Sequence, residues 1–412
     1  MAKNDICTPI LEKAGPLKTG REITTGTNMA RPALGVAVKE PDYGTCLVRL
    51  TDGNRRTAYS RRQSFNSDGS KFFLQSFLDA NYWYIYETAT GKLIKQLPNS
   101  IRGGAIEPNW HPTNPDLLFY MHENGVGMKI YQINVKTDEI TTDSDLTTAV
   151  RALYPTADVA TTKAEGSPSA DGRYWCLLAR NSSSWQTFGV FTWDREQKRI
   201  IGHVNVDPSV APDHVSTSPS GKFCVASSDN EAYGTRSYRT DFRAKYSDTI
   251  STQYLQLLHK SEHSDLAIMK NGHDAYVSVN YQNNGTVFFV DLETGEHTDL
   301  FSTYGEPGTG TVNAIHLSGR GFNKPGWVLY SSYGEKGNNH WLFKKIFAFT
   351  LEKNSQIRHI AYTRTQVPDY WAEPHANTNK DFTRILFNST WGSASINDSN
   401  ANMIGLRPDA IE

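Results

Sequence analysis

Four histidines, His214, His263, His316 and His375, each open a similar phrase of sequence, and three earlier copies of that phrase open on Arg62, Glu107 and Glu165. The chain has 12 histidines in 412 residues, so four of them at seven equivalent positions is far from a random scatter. Converging imidazoles have two uses. Three or four rings bind a divalent transition metal such as Mn²⁺, Zn²⁺ or Fe²⁺, and a histidine of near-neutral pKa serves as a general acid or base. The two are compatible when some rings hold a metal and another faces a substrate. Glu107 and Glu165 could join the ligands or anchor the imidazoles from behind.

Other residues suit an anionic partner. The stretch Tyr233-Gly-Thr-Arg236-Ser-Tyr238-Arg239-Thr-Asp-Phe-Arg243 follows the apolar run FCVASSDN and is expected to form a loop over the site. Arginine binds carboxylates through a rigid fork of donors, and Arg61, Arg62 and Arg320 add charge nearby. Asp369-Tyr370-Trp371 and Asn339-His340-Trp341 offer flat apolar faces bounded by polar groups, which suit stacking on sugar rings.

Seven distant positions meet only if the chain repeats. The phrase consists of a polar residue, a short small-polar stretch, a turn ending in Gly or Asp, and an apolar strand. It runs as RQSFNSDGSKFFLQS from Arg62, EGSPSADGRYWCLLA from Glu165 and HVSTSPSGKFCVAS from His214. Starts at 62, 107, 165, 214, 263, 316 and 375 are spaced by the length of a four-stranded blade, so the expectation is an all-β, seven-bladed propeller built as one domain over 1–412. After His375 there is room for two strands, TRILFNS and NMIGLRP. The early stretches ALGVAV and GTCLVRLT are therefore expected to complete the last blade and pair its open edge. The 20 Tyr, 18 Phe and 9 Trp fit short strands. In such a fold the innermost strands start at one mouth of a central channel, where the seven opening residues gather.

Composition narrows the function. A net charge of -1 leaves no basic stripe for nucleic acid, and no apolar run is long enough to span a membrane. Met1-Ala-Lys-Asn-Asp lacks the apolar core of a secretory signal, which points to the cytoplasm as the sequence stands, or to a secreted or periplasmic site if a signal was removed. Cys7, Cys46, Cys176 and Cys224 show no CxxC spacing and are expected to be unpaired thiols. Sequons at Asn181, Asn284, Asn388 and Asn397 are at the level that chance supplies in an Asn- and Ser-rich chain. Oligomeric state is left open.

With the phrases aligned, SEHSDLAIMKNGHDAYV, NAIHLSGRGFNKPGWVLYSSYG and AEPHANTNKDFTRILFNSTWG resemble the propellers of oligogalacturonate lyases and related polysaccharide lyases. The resemblance implies β-elimination on an anionic, uronate-containing oligo- or polysaccharide, with a divalent metal, Mn²⁺ ahead of Ca²⁺ or Zn²⁺, in the central cavity. It places His316 and His375 as metal ligands, His263 as the base, and Arg236 or Arg239 as the arginine that assists the substrate carboxylate, with Tyr233 or Tyr238 as an acid. Substrate contacts would fall to Arg62, Tyr238, Trp371 and Arg320. Ala372 stands where the family has a glutamine ligand and Asn377 where it has a further histidine, so the metal set would be completed by His214, Asn377 or a glutamate. The alternatives are a hydrolase or lactonase using Glu107 and Glu165 as a carboxylate pair, and a non-catalytic binding propeller.

Overall fold

The computed structural model describes residues 5–23, 26–305, 310–336 (Lys336 by its backbone alone) and 340–412. Strands arise where apolar and aromatic residues run for four to eight positions between Gly, Asp and Asn turns. In blade five, Asp274–Asn280 reads DAYVSVN. Its alternation sends Ala275, Val277 and Val279 into the cluster shared with blade six, while Tyr276 packs into the cluster shared with blade four. The middle strands of the blades are thus buried on both faces, and each blade is held by its neighbours. Seven such clusters occur among the described residues, one at each junction around the ring. A fully buried Val or Phe in them contributes about 1.5–3 kcal/mol.

Blades two to six are five four-stranded antiparallel sheets. Their inner strands are Asn109–Trp110, Val159–Thr161, His214–Thr217, Ser264–Ile268 and Thr311–Ser318. Blade one opens on Arg55–Arg56, ahead of the phrase that starts at Arg62. Blade seven is the closure. Its strands Asn377–Thr378, Arg384–Ser389 and Asn400–Gly405 come from the end of the chain, and Cys46–Arg49 and Ala37–Lys39 from its beginning. Cys46, Leu47 and Val48 lie antiparallel to Gly405, Ile404 and Met403. The architecture is the expected propeller, with the last blade completed by N-terminal strands. Among the described residues no helix is long and apolar enough to cross a membrane.

Two sequence expectations are corrected. All four cysteines are paired. Cys7 bonds to Cys46, so the first short helix, Thr8–Leu11, is tied to the closing strand. Cys176 and Cys224 join the second strands of blades three and four. Spacing along the chain did not reveal them because the partners, 39 and 48 residues apart, meet only in the folded chain. Gly405 faces the first cystine, and a Cβ there would fall 2.8 Å from the Cys7 Sγ, so glycine leaves the space for it. The second correction concerns the basic, Tyr-rich stretch. Thr235–Arg239 is the third strand of blade four and no loop over the channel.

Removing the Cys7–Cys46 bond frees a loop whose closure is worth about 3–4 kcal/mol. Reduction, or the double substitution Cys7→Ser and Cys46→Ser, is expected to lower the unfolding temperature by several degrees. Hydrogen exchange should rise first at Cys46–Arg49 and Asn400–Gly405.

Candidate functional site

The site lies where the inner strands of blades five, six and seven begin, facing blade one. His263 immediately precedes the inner strand of blade five, and its carbonyl accepts a hydrogen bond from Ser278 Oγ at 2.9 Å. His316 lies within the inner strand of blade six, opposite Ser331. Ser331 Oγ accepts in turn from the backbone N–H of Ala376, at 3.4 Å, which ties the two blades together beside the histidines. His375 precedes its strand in the left-handed region at φ 42°, a conformation that costs a non-glycine residue energy and is held by its surroundings. Asn388 provides that hold. Its backbone N–H donates to the Pro374 carbonyl and its Nδ2 to that of Glu373. It is wholly buried despite its sequon.

His316 and His375 stack with ring centroids 4.2 Å apart, and His263 lies 4.9 Å from His316. Glu373 Oε2 is 3.4 Å from Nε2 of both His316 and His375. Tyr59 presents its ring edge-on to both, Tyr333 stacks on His316 at 4.8 Å, and Tyr370 lies edge-on to His375 at 5.0 Å. Neither nitrogen of His316 or of His375 has a hydrogen-bond partner, and Nδ1 of His263 has none. Burial drives His316 well below the usual histidine pKa, takes His375 down to about 3 and lowers His263. Burial likewise lifts Glu373 to about 7, against the pull of His263 and the Tyr333 hydroxyl. The rings are therefore neutral, with lone pairs free. Two imidazoles and a carboxylate with orphaned buried nitrogens fit a divalent transition metal.

His214 is not part of this group. Arg61 crosses from blade one, and its Nη1 lies 2.5 Å from His214 Nε2 and 3.0 Å from Glu165 Oε2. His214 Nδ1 faces Asp213 and Glu165 at 3.5 and 3.6 Å, so both ring nitrogens are engaged. Glu165, Asp213 and His214 could enclose an ion by distance alone, but Arg61 and Lys163, whose Nζ is 2.7 Å from Asp213 Oδ1, already supply the positive charge. The structure thus places His214 with Arg61, Glu165 and Asp213 and apart from His316 and His375. Arg61 also donates to the Ser264 carbonyl, at 2.5 Å, and to Ser264 Oγ, at 3.2 Å. It thereby spans the channel from blade one to blades three, four and five.

Several other candidates fall outside the site. Tyr233 and Tyr238 are buried between blades three and four, with their hydroxyls 3.1 Å apart. Arg236 lies over the rings of Tyr233 and Tyr254 and donates to the Ala232 carbonyl. Arg239 rests on Phe223 and pairs with Glu293. As residues of one blade's third strand and its core, none of the four reaches the histidines. Arg320 is locked to Asp265 through Nε and Nη2. Arg62 is buried, and its Nη1 and Nη2 have no acceptor. Asn377 donates to Thr57 Oγ1 at 2.6 Å. Glu107 accepts from Thr161 Oγ1, Thr162 N and Thr162 Oγ1, which leaves it unsuited to an acid–base pair. Trp371 does stand beside the site, but the Arg56 guanidinium covers its ring at 3.8 Å. Trp341 packs against Phe301 in the core of blades five and six, and Asn339 lies outside the described residues.

Glu373, Tyr59, Tyr333, Tyr370 and Arg56 complete the neighbourhood. Of these, Tyr370 belongs to the aromatic stretch already singled out before His375, and Glu373 carried a weaker signal. It lies two residues before His375, one place along from Ala372.

Inner strands ringed around a histidine-lined mouth define a seven-bladed propeller with a polar channel site. Two solved structures share this form. One is an oligogalacturonate lyase from Vibrio parahaemolyticus, with a TM-score of 0.58 and 13% identity, covering 91% of this chain and 97% of that one. The other is an oligogalacturonate lyase in complex with manganese, with a TM-score of 0.59 and 16% identity, covering 97% and 99%. At such identities the likeness is one of fold. No protein-family model matches the sequence, and no curated protein matches it.

Arg61 neutralises Glu165 inside the channel, so Arg61→Met is expected to destabilise the protein by about 3 kcal/mol in denaturant unfolding. Arg236→Ala, which removes only contacts at the side of blade four, should cost about 1 kcal/mol or less.

Proposed function

We propose that the protein cleaves a uronate-containing oligo- or polysaccharide by β-elimination at this mouth, with a divalent metal, Mn²⁺ the first candidate. The observation that carries the proposal is the pair of buried, neutral, unpartnered imidazoles at His316 and His375 beside Glu373, with a third free histidine next to them. The fold likeness to two oligogalacturonate lyases, one of them in complex with manganese, supports it. His316, His375 and Glu373 would hold the metal. When bound, it supplies a Lewis acid that draws off the negative charge developing as the proton next to the uronate carboxylate is removed.

His263 is the base. Its lowered pKa keeps it neutral, and Nδ1 is free to take the proton from C5. The electron pair of that C–H bond becomes the C4–C5 double bond, and the glycosidic oxygen leaves from C4 with the bonding pair. Tyr59 is held protonated by burial and lies against the same two imidazoles, where it can return a proton to the departing oxygen. The two cystines suit an oxidising compartment, where extracellular glycans are met.

Incubation of the Mn²⁺-loaded protein with a panel of pectic and other uronate oligosaccharides should release an unsaturated uronate, read by its ultraviolet absorbance. No such product from any substrate would remove the proposal. His263→Ala should lower kcat by about 10²–10⁴-fold while keeping its metal.

Elemental analysis of protein purified without a histidine tag provides a separate check. One equivalent of metal is expected in the wild type and in His214→Ala, and none in His316→Ala, His375→Ala or Glu373→Ala.

A further inference from the structure

Arg56 ends the two-residue inner strand of blade one, opposite Gln75 in the sheet, and is 6% exposed. Its Nη2 reaches Gln75 Oε1 at a long 3.4 Å, and Nε and Nη1 have no hydrogen-bond acceptor. The guanidinium lies 3.8 Å from the Trp371 ring and 5.6 Å from that of Tyr370, which touches His375. An amide, an indole and a phenol thus surround it, and among the described residues no carboxylate comes within ion-pair distance. Burial lowers its pKa only to about 10, so it is a cation at neutral pH. Glu373 and Tyr370 favour the charge from nearby, but a buried cation with no ion-pair partner and two donors without acceptors is costly. Its planar fork matches a carboxylate that arrives from outside.

We propose that Arg56 recognises the free carboxylate of a uronate unit at the histidine mouth and selects it over methyl-esterified or neutral sugars. This rests on the uronate-cleaving role proposed above, and it assigns recognition to blade one and not to the arginines of blade four. Trp371 braces the flat side of the guanidinium, and Gln75 fixes one of its donors. The other two, Nε and Nη1, are buried without an acceptor, on a side chain packed against the Trp371 and Tyr370 rings, and Tyr370 in turn touches His375.

Calorimetric binding of galacturonate and of its methyl ester to the metal-loaded protein tests the assignment without requiring turnover. Wild type should bind the free acid about 10²-fold more tightly than the ester. Arg56→Met should bind the two alike while retaining its metal and its unfolding temperature, and Arg56→Lys should recover part of the preference. For cleavage of a free-acid substrate, Arg56→Met should act mainly on KM. A preference that persists in a folded, metal-loaded Arg56→Met protein overturns the proposal, as does a wild type that binds acid and ester equally. If wild type discriminates in binding yet releases no unsaturated product from any uronide, the recognition role stands and the elimination role falls.

Discussion

The pairing of Cys46–Arg49 with Asn400–Gly405 is the constraint on which everything else rests. Each blade is buried on both faces by its neighbours, so an open ring would expose two apolar sheets and let the inner strands splay. The candidate site draws on blades one, five, six and seven, and the closing blade itself carries His375 and Glu373. A shift of one residue in the closing register would send its apolar side chains to the wrong neighbour and move that corner of the site. The cystine at Cys46, with Gly405 making room for it, pins the register at the end of the closing strand.

Within the ring, burial shapes the electrostatics. Histidines in water are partly charged near neutrality. Here desolvation holds three of them neutral and brings Glu373 close to neutral pH. Three like charges or a bare carboxylate would be expensive to keep so close together. The other half of the channel solves the same problem differently, by ion pairing. Arg61 meets Glu165, and Arg320 meets Asp265. One half is thus held largely by salt bridges, while the histidine half keeps its imidazole nitrogens without hydrogen-bond partners.

The repeat was legible because its phrase covers the inner strand, the turn and the second strand, where turn glycines and apolar alternation leave a regular mark. It located His263, His316 and His375, and it foretold the closure. It did not show that His214 stands apart from the other three, because equivalent position along a blade does not determine what reaches across the channel, and Arg61 does so here. Arg56 and Tyr59 precede the first copy of the phrase and so carry no periodic signal. The stretch from Tyr233 to Arg239 looked like a polar loop because its Tyr, Thr and Arg residues pair with one another inside a blade, a pattern that composition alone does not separate from a surface turn. The cysteines belong to the same class of error, since their partners are neighbours only in the folded chain.

Arg61 has one more consequence. Its guanidinium is bonded to residues of three other blades, so one side chain staples blade one across the axis to blades three, four and five, and the ring is held from its inside as well as at its closing edge.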